Sequence, residues 1–500
     1  MKWLAKIVDE VGTRQPKGEV LIESGASPSG AYHFGHLREI ITCDAIRLEL
    51  IRRGRQAKHI HYVDDLDALR KIPANVPAEF EKYLGQALCD IPAPDGSKSS
   101  YGEFFLADFL KSAKVLGVEM EVIRSHEKYR AGFFTAAIEK SLADEAKIRQ
   151  ILETVSGHKL DDHWSPLQVI EETYLKNRKF LAIDEKAKTL DYEDAQGKTM
   201  TISYAHGQAK LNWRIDWPAR WWLLKIAIEP AGRDHASAGG SFDTGLAIIK
   251  EIFGQKGPIP VPYDFVNRAG DTKKMSASAG TGISATEVVK VLPPEVVRYF
   301  MLRFPPSKRL YFDEQNIDQL IDEFAGLAAA EPDSPLVQIS LNKLERVVSN
   351  VPFSHLVAAY QSALKDIDKT IDIIKRASPQ PVDEAVVKKE LKYIDGWLKN
   401  WAPESIKFEL SKAVKKSDFS EPEMQFLSKL ADAVAKAPKS ADGEWFHKAI
   451  YQLEFTNLDA KAKFETLYKA LIGKTSGPRA GWFLSILPRD WLIKRLRFEA

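Results

Sequence analysis

With 500 residues, 44% of them hydrophobic and 28% charged, the chain has the apolar content of a folded protein of roughly two to four domains, and disorder is excluded. Its 71 basic and 69 acidic residues leave a net charge of +2, so a nucleic-acid surface has to be a local patch on a balanced protein. Cys43 and Cys89 are too few for a disulfide framework or a four-cysteine zinc site, and neither an export leader nor a run of about 18 apolar residues occurs, so the expectation is a cytoplasmic protein with no membrane partner.

Glu19-Val20-Leu21-Ile22-Glu23 is short and β-branched and reads as a strand, which Gly25, Pro28 and Gly30 then end in a loop. From Leu37 apolar residues recur at Ile40, Ile41, Ala45, Leu48 and Ile51, and Gly54 stops the run, which predicts a helix of about five turns. His59-Ile60-His61-Tyr62-Val63 is a second strand, ending in Asp64-Asp65. Strand, loop, helix and strand open a parallel α/β sheet, whose ligands gather beyond the carboxyl ends of the strands. Mixed, turn-bearing sequence from about Pro73 to Lys210 reads as insertions into that sheet, with a polar strand-like stretch over 188–205. The sheet is expected to resume over 223–229 and to lead into Gly232-Arg233-Asp234-His235 and a helix over 240–253. Beyond Pro305-Pro306 helical periodicities dominate, broken by Pro-bearing turns at 331–335 and 378–381.

The expected fold is therefore α/β, a Rossmann-type parallel-sheet domain with insertions followed by an all-α C-terminal domain. The boundaries read as 1–72 with 212–270 for the sheet domain, 73–211 for the insertion, 271–325 for a loop and connecting region, and 326–500 for the helical domain.

Two separated runs carry the chemistry. Ser27-Pro28-Ser29-Gly30 lets backbone approach a ligand, and the helix behind it offers unpaired N–H groups to an anion. His33 and His36, three apart at the helix start, can face one side and donate to a phosphate oxygen, while Gly35 between them leaves room for a purine. Far downstream, Lys274-Met275-Ser276-Ala277-Ser278 lies in a small, hydroxyl-rich loop over 270–280 that can close over a triphosphate. Two unaccompanied histidines are usually ordinary surface residues; the strand-loop-helix setting reverses that reading.

These runs, with Ser24-Gly25-Ala26 before the loop, Asp64-Asp65-Leu66-Asp67-Ala68-Leu69-Arg70-Lys71-Ile72-Pro73, Trp213-Arg214-Ile215-Asp216-Trp217-Pro218-Ala219-Arg220-Trp221, the stretch 232–245 and Gly477-Pro478-Arg479-Ala480-Gly481, resemble class I lysyl-tRNA synthetases over nearly the whole chain. The resemblance implies attack of the lysine carboxylate on the α-phosphorus of ATP, brought in with Mg²⁺, and transfer of lysine from the adenylate to the terminal ribose of tRNA(Lys). His33, His36 and Lys274 would be catalytic by positioning and charge stabilisation. Ser27, Pro28, Ser29, Gly30, Gly35, Met275, Ser276 and Ser278 would hold ATP. A cationic substrate needs anions, for which Glu39, Asp64, Asp65 and Asp234 are the candidates, with Gly25, Trp217 and His235 completing the lysine site; Trp217 and His235 serve equally well as core packing. The signature loop usually carries a second lysine where this chain has Ala277 and Ala279, leaving Lys273 and Lys274 alone. Some relatives bear a cysteine-ligated zinc element near 191–211; with no cysteine there, no zinc is expected, and His158, His163, Asp161 and Asp162 match no common metal spacing.

Anticodon binding falls, on this resemblance, to the helical domain. Its last thirty residues hold Lys474, Arg479, Arg489, Lys494, Arg495 and Arg497 against Asp490 and Glu499, with Trp482, Phe483 and Trp491 available for base stacking or for the core. Lys474, Arg479 and Arg495 are the expected RNA contacts. Oligomeric state is not legible, a monomer being the simplest expectation. Two alternatives stay open: a glutamyl-type synthetase, which would want arginine where Glu39 and the paired aspartates stand, and a non-catalytic tRNA-binding relative.

Overall fold

The computed structural model describes residues 1–161, 164–270, 282–378, 380–455 and 458–499. The chain forms two compact units, one comprising Met1–Val289, Val297–Phe312 and Gln338–Lys343, the other Lys290–Val296, Asp313–Val337 and Leu344–Ala500.

The first unit is built on a five-stranded parallel sheet of β1 (Val20–Ala26), β2 (Ala57–Val63), β3 (Glu121–Arg124), β4 (Ile228–Gly232) and β5 (Ile259–Tyr263). Their order across the sheet is β5-β4-β1-β2-β3, and every pair is parallel. That is the doubly wound Rossmann order, whose topological switch point, between β1 and β4, is where such sheets bind ligands. β1 pairs with β2 along its full length, from Val20 opposite Ala57 to Ala26 opposite Val63, but meets β4 only at Ile22 opposite Ile228. The switch point is thus open above Ile22.

Helix α1 (Lys2–Arg14) precedes the sheet; α2 (Phe34–Arg52) joins β1 to β2, α3 (Tyr101–Val115) precedes β3, α4 (Trp213–Leu224) precedes β4, and α5 (Ser241–Glu251) lies between β4 and β5. The predicted strand over 223–229 begins late: Leu223 and Leu224 complete α4, Lys225 ends it with a positive φ of 58°, and extended backbone starts at Ile228. An apolar run of that length suits a buried helix end as well as a strand, and packing decided. The apolar stripe of α2 also fails at its end, since Ile51 is 46% exposed while Arg38, Asp44 and Glu49 are buried. Arg38 is buried because its guanidinium donates to the carbonyls of Pro306 and Lys308, both at 2.7 Å, and Asp44 because Arg47 and Arg298 each reach it at 2.8 Å. Buried polar groups are tolerated when paired in this way.

Between β3 and α4 lie two three-stranded antiparallel sheets, including Thr189–Glu193 and Thr199–Ser203 in the stretch read as polar strands. The unit's core packs Ile60, Tyr62, Ile123, Trp217, Trp221, Phe242 and Ile248 around the sheet. In the second unit every described element is helical. It includes α6 (Phe353–Ser362), α7 (Ile367–Ala377), α8 (Gly443–Gln452) and α9 (Ala480–Ile486).

Candidate active site

β1 delivers the chain into the loop over 27–32, and α2 starts at its far side with His33 as the N-cap. The cap is made by two imidazoles. His33 Nδ1 accepts from the Gly35 backbone N–H at 3.1 Å, and His36 Nδ1 accepts from the His33 N–H at 3.1 Å, a reciprocal capping box. The rings lie 4.0 Å apart between centroids. A ring whose Nδ1 accepts has Nε2 as its donor; His36 Nδ1 also lies 3.3 Å from His33 O. The space a side chain at Gly35 would fill is taken by His33 itself, whose Cε1 lies 2.8 Å from that point, so glycine here makes room for the imidazole rather than for a purine.

Lys274, Met275, Ser276 and Ser278 lie outside the described residues. The chain just after them does not: Phe34 N–H donates to Ile283 O at 2.8 Å, Ala285 N–H donates to Tyr32 O at 2.9 Å, and His33 bridges to Ser284. The histidine run is therefore stitched by backbone hydrogen bonds to Ile283–Ala285, in the chain that follows the second run.

The rest of the loop is held from the insertion side. Ser27 Oγ donates to Asp67 at 2.9 Å, Asp67 pairs with buried Lys210 at 2.8 Å, and Tyr101 OH donates to Ser29 O at 2.9 Å. A Cβ on Gly30 would lie 2.9 Å from Pro73, and Pro28 packs against Gly102.

At the switch point, Glu39 reaches over from α2. It accepts from Gly25 N–H at 2.8 Å and from the Tyr263 hydroxyl at the end of β5. Burial pushes its carboxyl up to about 7, against those two hydrogen bonds. Glu23 of β1 is fully buried beside Glu229 of β4, both pushed up, chiefly by burial. Trp217 Nε1 donates to Glu229 at 2.8 Å, and His235 stands edge-on to Trp213 and Trp217. Trp217 is thus at once core and wall. Asp64 faces Arg220 Nη1 at 3.3 Å and is raised to about 7, burial outweighing that cation. Arg220 also meets Asp216 at 3.1 Å and Glu23 at 3.5 Å and lies over the Tyr62 ring. Carboxyls outnumber cations here, Glu23, Glu39, Asp64, Asp67, Asp216 and Glu229 standing against Arg220 and Lys210.

Not every expected residue joins this group. Asp65 instead has one oxygen taken by Ser125 Oγ at 3.1 Å and His126 N at 3.0 Å, and the other by His126 Nδ1 at 2.5 Å, tying β2 to the segment after β3. Asp234 is exposed at the edge of the group, its Oδ1 lying 2.8 Å from where a Cβ on Gly232 would stand and the Tyr263 hydroxyl 3.6 Å from the same point; burial and Glu39 raise Tyr263, and the Asp234 charge adds to that. Tyr263, Glu229, Glu23 and Arg220 were missed as site residues. The legible signal for two of them was a glutamate directly after an apolar strand run, in Val20-Leu21-Ile22-Glu23 and Ile226-Ala227-Ile228-Glu229.

In the helical unit two of the three expected RNA contacts are structural instead. Arg495 is 2% exposed, donates to Ser411 O at 2.6 Å and lies over Trp491, since a guanidinium is well suited to satisfying free carbonyls. Lys474 donates to the carbonyls of Glu404 at 2.9 Å and Lys407 at 2.5 Å. Arg479 is exposed at the head of α9.

A family model described as "tRNA synthetases class I (K)" matches residues 1–346. A lysine–tRNA ligase of Archaeoglobus fulgidus is 37% identical over 95% of this chain and 96% of its own length, and one of Pyrococcus horikoshii is 32% identical over 99% of each. Among solved structures, a glutamate–tRNA synthetase of Elizabethkingia anophelis is 12% identical over 96% of this chain and 99% of its own, with a TM-score of 0.45. The doubly wound sheet and the histidine-capped helix are those of a class I aminoacyl-tRNA synthetase, an ATP-using ligase. Within that class, the chain belongs to the K family.

Proposed function

We infer that this protein is a lysine–tRNA ligase: it joins lysine to AMP from ATP, releasing pyrophosphate, and passes the lysyl group to the 3′ end of tRNA(Lys), acting in the cytoplasm. The observation that carries this reading is the backbone pairing of Tyr32–Phe34 with Ile283–Ala285, which sets the histidine cap beside the chain leaving the Lys274 loop.

ATP enters as its Mg²⁺ complex, with Ser27, Pro28, Ser29, Gly30 and Gly35 beside its phosphates and Met275, Ser276 and Ser278 closing over them. His33 and His36 donate from Nε2 to phosphate oxygens, and Lys274 neutralises the charge that develops as pyrophosphate leaves. No side chain has to act as nucleophile, because the substrate carboxylate attacks and positioning supplies much of the rate.

The amino acid lies above the β1–β4 opening, between Gly25 and Trp217, with His235 and Asp234 at its rim. Its ammonium meets Glu39, supported by Tyr263, in a group already short of cations; Asp64 reaches it in common with Arg220. An acidic substrate such as glutamate would add charge of the wrong sign, which sets the glutamyl-type alternative aside on physical grounds. ATP–pyrophosphate exchange with lysine and with glutamate tests the reading. Exchange with lysine alone is expected; exchange with glutamate, or tRNA binding with no exchange for any amino acid, would overturn it.

The tRNA is held in part by the helical unit, where Arg479 remains the exposed one of the three cations first assigned to RNA. Lys474 and Arg495 act there by holding the fold.

A further inference from the structure

The strand Ala209–Leu211 of the insertion carries Lys210, whose side chain is 2% exposed. A buried ammonium is tolerated only beside anions, and three carboxyls supply them. Nζ lies 2.8 Å from Asp67 Oδ1 and 3.6 Å from Asp216 Oδ2, and against the penalty of burial Asp67, then Asp216, then Asp64 hold it protonated. It also stands over the Tyr129 ring, whose hydroxyl donates to the same Asp216 oxygen at 2.5 Å.

Lys210 has two branches. Through Asp67 it reaches the phosphate loop: Asp67 Oδ2 accepts from Ser27 Oγ at 2.9 Å while Oδ1 takes the ammonium, so the carboxyl is pinned at both oxygens and Ser27 with it. Against burial, Lys210 holds Asp67 below the usual carboxylate range, so this branch is ionised at neutral pH. Through Asp216 it reaches the amino-acid side. Asp216 precedes Trp217 on α4, its other oxygen meets Arg220 Nε at 3.1 Å, and Arg220 Nη1 meets Asp64 at 3.3 Å. Five links of 2.8–3.6 Å thus run without a gap from Ser27 to Asp64.

The cations along this line are shared. Arg220 divides its charge among Asp64, Asp216 and Glu23, and Lys210 between Asp67 and Asp216. A substrate ammonium brought to Glu39 and Asp64 adds positive charge at one end; Arg220 then turns more fully to Asp216, and Lys210 to Asp67 and the Ser27 loop. We propose that Lys210 is a positioning residue common to the two substrate sites, holding the phosphate loop through Asp67 and passing occupancy of the lysine site to it through Asp216. This rests on the reading of the protein as a lysine–tRNA ligase and adds a positive coupling between its two small substrates.

The test is calorimetric binding of α,β-methylene-ATP, whose α–β bridge cannot be cleaved, with and without saturating lysine, to the wild-type chain and to Lys210→Arg, Lys210→Met and Asp67→Asn. In the wild-type chain lysine is expected to tighten the analogue by about fivefold to fiftyfold. Lys210→Met should weaken the analogue alone by about tenfold and bring the ratio of affinities with and without lysine to about one. Lys210→Arg keeps the charge and should keep most of the coupling. Asp67→Asn keeps an acceptor for Ser27 Oγ but loses the ion pair; it should lose the coupling too, which reads the same link from the other side if Lys210→Met does not fold. A wild-type ratio of about one, or a wild-type ratio in either folded variant, would overturn the proposal. A wild-type chain that shows the coupling yet gives no pyrophosphate exchange with lysine would sink the ligase reading and leave the network standing, whereas exchange with lysine and no coupling would do the reverse.

Discussion

At the head of α2, His33 and His36 each turn Nδ1 to the backbone, so capping the helix fixes the orientation of both rings and turns Nε2 of each away from the cap. In the last thirty residues of the helical unit the opposite happens: Lys474, Arg489 and Arg495 deliver their charged groups to carbonyl oxygens, and Arg497 pairs with Asp432. Both regions look functional in the sequence. The difference lies in what the local backbone demands. A helix N-terminus presents N–H groups, which a ring nitrogen can satisfy while the ring keeps a second polar atom. Loop and helix ends near a buried tail present carbonyls, which consume the donors that RNA would need.

The sharpest break of this contrast is to remove a cation from the active-site unit that is structural. Arg220→Met leaves Glu23, Asp64 and Asp216 facing one another without their shared partner and should cost about 3–5 kcal/mol of stability, read as a large fall in Tm. Stability within 1 kcal/mol of wild type would show that the carboxyls simply take up protons. Next, Lys274→Ala should raise the barrier to adenylate formation by about 2–4 kcal/mol while tRNA binding stays intact, measured by pyrophosphate exchange alongside filter binding. An unchanged exchange rate would remove Lys274 from the mechanism. In the tail, Arg495→Ala should lower unfolding free energy by about 1–3 kcal/mol in a denaturant titration and leave tRNA affinity per folded molecule alone, because its carbonyl partners lose their donor and no phosphate does. Weakened tRNA binding by the folded variant would restore Arg495 as a contact.

The smallest effect is on pH. Glu39 attracts an ammonium only when ionised, and burial raises its carboxyl to about 7 in the free protein. A raised carboxylate is neutral below that value, so the KM for lysine should climb as pH falls through about 7 and level off above it. Tyr263→Phe removes a hydrogen bond to Glu39, which itself lowers the carboxyl, so it should move that transition to higher pH and weaken lysine binding by about 0.5–1.5 kcal/mol. A lysine KM flat with pH in both proteins would take Glu39 out of ammonium recognition.

Most of the architecture around β1, α2 and β2 was legible, because period-two and helical patterns are local and Pro28 and Gly30 can only punctuate, although Gly25, expected in the loop, lies inside β1 opposite Tyr62, since a glycine costs a strand little when its backbone pairs fully. The late start of β4 was not, since Leu223-Leu224 suits a buried helix end and a strand alike. At the site, Glu39 and Asp64 were legible as acids near the strand ends, while Asp65, one residue on, was not separable from Asp64 without knowing that His126 stands beside it. Tyr263 was invisible, being distant in the chain from the loop it serves.

The amino-acid sequence by itself determined the class of chemistry: a phosphate-binding turn, two imidazoles three residues apart and a distant lysine loop, all set by residue type and short spacing. Only the tertiary structure decided which charged groups are free to meet a substrate. That choice depends on where chain ends and strand edges leave backbone donors and acceptors unpaired, and a buried carbonyl or carboxylate claims the nearest cation whatever its neighbours in the sequence imply.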